Sequence, residues 1–194
     1  MGGLTSATGV PGMTLWRIRA TVDDRPGFLS VLTASLALRK VNILSVQVHT
    51  TETGAVDDFL VEAPEHLTRA DLVDAVQRGR GRDPWVSPAD VRGLVDEPTR
   101  VLALAAKVLD GTATLEEAIA ALLGDCDISW RAGATTKSSA VAAAGFTATG
   151  MQLPDPAGGT LYVRRPAPAF TPAEYARAQA LVEVAKVGAR HTAS

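Results

Sequence analysis

The sequence predicts an α+β chain made of two unlike halves, and three observations carry that prediction. Residues 14–22, 43–50 and 55–63 alternate apolar and polar positions, the period of half-buried strands. Residues 28–40 and 68–78 instead place apolar residues at helical spacing. Beyond about residue 94 the order changes to helices, short strands around a Pro- and Gly-rich turn, and a closing helix.

The elements follow in order. Residues 14–22 set Trp16, Ile18, Ala20 and Val22 against Leu15, Arg17, Arg19 and Thr21. Pro26 suits a first helical turn, and Phe28, Leu29, Leu32, Leu36 and Leu38 mark a helix to about Lys40. Arg39 and Lys40 suit the negative end of its dipole. Residues 43–50 form a second strand with Leu44, Val46 and Val48 on one face, "TETG" a hairpin turn, and residues 55–63 a third strand with Phe59, Val61 and Ala63 inward. Thr68 and Asp71 open a helix running to about Arg78, and a short fourth strand is expected within 84–93. "RGRGRDP" reads as a solvated turn between them. That order is the ferredoxin-like βαββαβ sandwich.

In the second half Pro98–Leu109 reads as a helix, and Thr114 with Glu117 forms a capping box before a helix to Leu123. Residues 127–131 form a short strand, and 146–153 with 159–165 a hairpin around "PDPAGG". Thr171, Pro172 and Glu174 supply cap, rigid first position and box partner for a last helix. "AGATTKSSAVAAAG" reads as a mobile stretch. The expected domains are a disordered tail over 1–12, a first domain over 13–93 and a second over 94–190.

Composition bounds the function. With 46% hydrophobic residues among 194, the chain can bury a core. A formal net charge of −2 gives no general field for nucleic acid or anionic membrane. No run approaches the length of a membrane span. Cys126 is the only cysteine, so no internal disulfide forms; with no secretory signal in the first residues, a cytoplasmic location is expected.

The stretch "DRPGFLSVLTASLALRKVNILSVQV" then decides the reading. It carries Asp24-Arg25-Pro26-Gly27 at the entry to the first helix and Asn42-Ile43 leading into the second strand. Over roughly residues 14–92 the chain resembles an ACT domain, a regulatory module that mostly binds amino acids. The chemistry suits such a ligand on its own terms. A helix N-terminus offers unpaired N–H groups to a carboxylate, Gly27 lets a ligand approach the backbone, and the Asn42 amide both donates and accepts. The resemblance implies ligand contacts from Asp24, Arg25, Pro26, Gly27, Phe28, Leu29, Asn42 and Ile43, with the two segments contributed by adjacent copies. Arg25 is long and charged, able to fill such a pocket or to clamp a carboxylate.

Within residues 98–187, "GGTLYVRR" and "APAFTPAEYARAQALVEVA" resemble part of a GAF domain, implying a small GAF-like α/β domain that lacks the middle of that fold. No catalytic or metal site is predicted. His49, His66 and His191 lie far apart, with no metal-binding spacing. "GATTKSS" has Thr136 where a phosphate loop needs its second Gly. Cys126 reads as a buried thiol, and Asp57 and Asp58, adjacent on a strand, point to opposite faces. No cofactor is implied.

The expectation is therefore a non-catalytic, amino-acid-binding regulator that acts as a homodimer on an enzyme or regulatory partner. Two alternatives stand beside it: a regulatory subunit similar to the small subunits of acetolactate synthase, and a sensor fragment of an ACT-linked acetyltransferase.

Overall fold

The computed structural model describes residues 12–51, 54–89, 97–132 and 145–192. Residues 1–11 of the expected tail, the "ET" of the hairpin turn, "GATTKSS" and most of "AGATTKSSAVAAAG" lie outside the described residues. The chain divides into two compact units, Met1–Leu94 and Val95–Ser194.

The first unit runs β1 (Met13–Val22), α1 (Phe28–Ala37), β2 (Asn42–Thr51), β3 (Gly54–Pro64), α2 (Arg69–Arg78) and β4 (Arg82–Pro88). Its four strands lie in the order β2-β3-β1-β4, with β1–β3, β1–β4 and β2–β3 all antiparallel. This is the order a split βαβ sandwich requires. Alternation decides the buried face: Ile18, Ala20, Val22, Phe59, Val61 and Ala63 join Leu32, Leu36, Leu72, Ala75 and Val76 of the helices in one core.

Four local expectations need correction. First, α1 starts at Phe28, not at Pro26, because Gly27 caps it with φ 93°, a left-handed conformation that ends the preceding turn. Second, α1 stops at Ala37; Lys40 has φ 60°, and Arg39 pairs with Asp74 of α2 rather than with helix carbonyls. Third, the β2–β3 register shifts between Ile43 and Ser45, so Leu44 sits in a bulge and does not continue the face of Val46 and Val48. Fourth, "RGRGRDP" is not wholly a turn: Arg82 begins β4 and donates to Asp23 Oδ1 at 2.5 Å.

The second unit comprises α3 (Glu97–Leu109), α4 (Leu115–Leu123), β5 (Asp127–Arg131), β6 (Gly150–Pro154), β7 (Thr160–Arg164) and α5 (Pro172–Thr192). Its antiparallel sheet has the order β5-β7-β6. The β6–β7 hairpin is narrower than the sequence suggested; Phe146 makes only an isolated bridge to Met151. Met151, Leu153, Leu161 and Val163 pack on Ile119, Leu122, Ala178 and Leu181. Arg165 and Glu174 are buried beside this core and pair at 3.0 Å. Glu174 also accepts from the Thr171 backbone N–H at 2.8 Å, so one carboxylate caps α5 and neutralises Arg165.

Candidate functional site

The end of the first sheet where β1 hands over to α1 gathers charge. The strand order places three connections there: the β1–α1 loop, the β2–β3 hairpin and the α2–β4 loop. The hairpin lies hard against β1, because a Cβ on Gly54 would stand 2.5 Å from the Val22 carbonyl oxygen. Asp23, Asp24 and Arg25 come from the first loop, Arg80 from the third, and Arg82 from the first position of β4. The Arg80 guanidinium lies 6.0 Å from the centre of the Phe28 ring. The Arg82 hydrogen bond holds the Asp23 carboxyl below its ordinary range.

Helix α1 begins at this end without a side-chain cap. An α-helix leaves its first N–H groups without intrahelical partners. Thr68–Asp71 and Thr114–Glu117 boxes close α2 and α4. At α1 the Ser30 hydroxyl instead turns back to donate to the Gly27 carbonyl at 2.6 Å. The first turn thus keeps donors and a partial positive charge for an anionic group.

Asp57 lies on β3, near enough to Asp24 of the β1–α1 loop to feel its charge. Its register partners are Ala20 on β1 and Val48 on β2, so it shares the helix-facing side of the sheet with Phe59 and Val61. Asp57 is 1% exposed, and neither carboxylate oxygen has a hydrogen-bond partner among the described residues. Burial first, and the nearby charge of Asp24 second, raise its pKa to about 6. Its neighbour Asp58 faces the other way and is treated oppositely. Arg17 Nη2 donates to it at 2.8 Å and Arg19 Nε at 3.0 Å. Burial pushes the Asp58 pKa up, but the two guanidiniums outweigh that and leave it lowered.

The structure brings the expected site residues Asp24, Arg25, Pro26, Gly27, Phe28 and Leu29 together at this end. It does not bring Asn42 and Ile43 to them within one chain. Asn42 pairs with Glu62 and donates to its carboxylate at 3.3 Å, whereas Val22, just before the loop, pairs with Ala55. Seven residues of strand, about 24 Å, separate those levels. Of the charged residues gathered here, sequence reasoning missed Asp57 as a candidate and read Arg80 and Arg82 only as part of a solvated turn. The signal for Asp57 was present: it is in phase with Phe59, Val61 and Ala63, an acidic residue where alternation demands an apolar one.

The second unit offers less chemistry. A surface depression of about 440 Å³ is lined by Thr114, Glu116, Glu117, Ala120, Cys126 and Ile128. Burial raises the Cys126 thiol pKa, so it stays protonated near neutrality. Among the described residues no group of three His, Cys, Asp or Glu side chains is placed to hold a metal ion, and no helix is long and apolar enough to cross a membrane.

No curated protein matches the chain. Solved structures match weakly. The regulatory subunit of aspartate kinase from Thermus thermophilus, in ligand-free form, is 12% identical with a TM-score of 0.33, over 93% of this chain and 99% of that one. A protein described as unknown from Galdieria sulphuraria is 15% identical with a TM-score of 0.39, over 92% and 93%. The C-terminal domain of the MgtC protein from Mycobacterium tuberculosis is 11% identical with a TM-score of 0.34, over 43% and 96%. Likeness at this level carries no argument about activity. The family comparison is more specific: residues 16–78, from β1 to the end of α2, match the ACT domain model.

Proposed function

We propose that the chain is a non-catalytic regulatory protein whose first unit binds an amino acid as a homodimer. The observation that carries this reading is the uncapped start of α1, with Gly27 and a set of charged loops around it, inside a segment that matches the ACT domain model. The α1 N–H groups suit an α-carboxylate, and Arg25 or Arg80 can add a charge-assisted contact.

The second wall comes from a second copy. Strand β2 is an edge of the sheet, and Leu44–Thr50 contains no Pro, Lys or Gly to deter pairing. Val46 and Val48 on it are 41% and 50% exposed. Antiparallel pairing of two β2 strands about Val46 sets Asn42 of one copy opposite Thr50 of the other. Thr50 neighbours Ala55, and Ala55 neighbours Val22, which leads into the Asp23–Gly27 loop. Asn42 and Ile43 of one chain then approach Asp24–Leu29 of the next. The second unit serves in this reading as a GAF-like α/β partner that passes the ligand state to an enzyme or regulatory protein in the cytoplasm. By linkage, such a partner must also change the ligand's affinity.

A thermal-shift screen of the twenty amino acids on the full chain tests the reading. A ligand at 100 times its Kd adds about 2.7 kcal/mol of stability. Absence of any saturable shift across the twenty removes the amino-acid assignment.

A further inference from the structure

A buried carboxylate with two unpartnered oxygens is a costly group to keep, because neither its charged nor its protonated form has replaced the hydrogen bonds it made in water. Among the described residues, no core position around Asp57 supplies a cation. Helix α1, Phe28–Ala37, contains no charged residue. The inward positions of β1 are Trp16, Ile18, Ala20 and Val22, and those of β2 are Ile43, Val46, Val48 and Thr50. Helix α2 turns Leu72, Ala75 and Val76 inward. Among the described residues the other charges at this end are Asp23, Asp24, Arg25 and Arg80 in the loops, Arg78 at the end of α2, and Arg82 and Asp83 at the start of β4; Arg82 is held by Asp23 and Arg78 by Asp74. Asp57 also lies only one strand inside the β2 edge, beside the half-exposed Val48.

We propose that Asp57 is the seat for a cationic nitrogen, and that the ligand's primary ammonium donates to its two oxygens. This rests on the amino-acid reading and deepens it. The two charges of a zwitterion meet two complementary features: the carboxylate meets the helix N–H groups, and the ammonium meets Asp57. The site therefore takes molecules with a free primary amine and rejects their N-acylated or α-keto counterparts. Binding an ammonium requires the ionised carboxylate, so ligand and proton compete for Asp57. Affinity is constant between the Asp57 pKa of about 6 and the pH at which the ligand's amine loses its proton, and falls about tenfold per pH unit below 6.

The test uses the full chain, with each of the twenty amino acids, their N-acetyl derivatives and the corresponding decarboxylated amines as probes. Two variants accompany it. Asp57→Asn removes the charge. Val48→Lys tethers an ammonium at the position directly opposite, within reach of Asp57 on the same face. In wild type, an amino acid and, more weakly, its amine are expected to raise Tm, while the N-acetyl form does not. Asp57→Asn is expected to lower that affinity at least tenfold and to abolish the loss below pH 6. Val48→Lys is expected to raise the unliganded Tm at pH 8 and to remove the ligand response. An amino acid that shifts wild type and Asp57→Asn equally, or binds its N-acetyl form as well, overturns the assignment of Asp57 and leaves the amino-acid reading standing. No shift in wild type with any amino acid or amine overturns both.

Discussion

Replacing Asp57 by asparagine should stabilise the unliganded chain, and only at a pH where the carboxylate is ionised. The pKa rises from 3.8 to about 6 on folding, roughly two units. At 1.36 kcal/mol per unit, ionising Asp57 in the folded chain costs about 3 kcal/mol. The direction follows from proton binding. Between pH 4 and 6 the folded chain holds a proton that the unfolded chain has released, so the Asp57 contribution to stability falls as pH rises through that window and stays low above it. The substituted amide bears no charge and shows no such loss. The variant should match wild type near pH 4 and exceed it by about 3 kcal/mol at pH 8. Asp23, Asp58, Asp71, Asp110 and Glu117 have lowered pKa values and act with the opposite sign at lower pH, but both proteins carry them, so they cancel in the difference. The assay is urea unfolding followed by tryptophan fluorescence in a Trp130→Phe background. Trp16 and Trp85 then report on the first unit alone. A difference between the two proteins that stays flat from pH 4 to 8 refutes the reasoning, whatever its size.

Three further outcomes are expected. Val46→Pro removes a backbone donor from the β2 edge, so light scattering should show a weaker dimer together with a lost amino-acid shift; a folded monomer with unchanged affinity rules out the two-chain site. Arg165→Met strips the cation from Glu174 and leaves the Leu123 and Pro168 carbonyls without their donor, which should destabilise the second unit by about 3–5 kcal/mol, read by Trp130 fluorescence. Gly27→Ala meets no neighbouring atom within 4 Å, so its cost is the left-handed backbone alone, about 1–2 kcal/mol in urea unfolding, with Gly27→Asn costing less.

Local rules made much of the fold legible. The caps at Thr68, Thr114 and Thr171 each rest on a residue three positions on, a short-range arrangement that the sequence displays directly. Alternation placed Ile18, Phe59 and Val61 in the core for the same reason. The errors arose where a distant partner or a backbone angle decided. Pro26 looked like a helix start, but the left-handed Gly27 moved the start to Phe28. Arg39 looked like a helix-end charge, yet Asp74, 35 residues away, holds it. Arg82 looked solvated, and Asp23, 59 residues away, pairs with it. In the site, the loop Asp24–Leu29 was visible as a motif. Asp57 was legible as an acidic residue in an apolar phase, but not what that meant, because its role depends on what surrounds it: the same residue type next door, Asp58, is satisfied by two arginines.

The two edges of the first sheet are chemically unlike, and that difference sets how far the sheet can grow. Strand β4, on one side, has Pro84 and Pro88 within its seven residues, and each removes a donor that an added strand would need. Strand β2, on the other, keeps every donor from Asn42 to Thr51. A sheet with one receptive side has a valence of one. Two copies joined through β2 bury the receptive sides of both, and the eight-stranded product ends in proline-bearing strands at either margin. Raising the concentration then fills dimers without lengthening them, which separates this geometry from the head-to-tail contacts that run on into fibres.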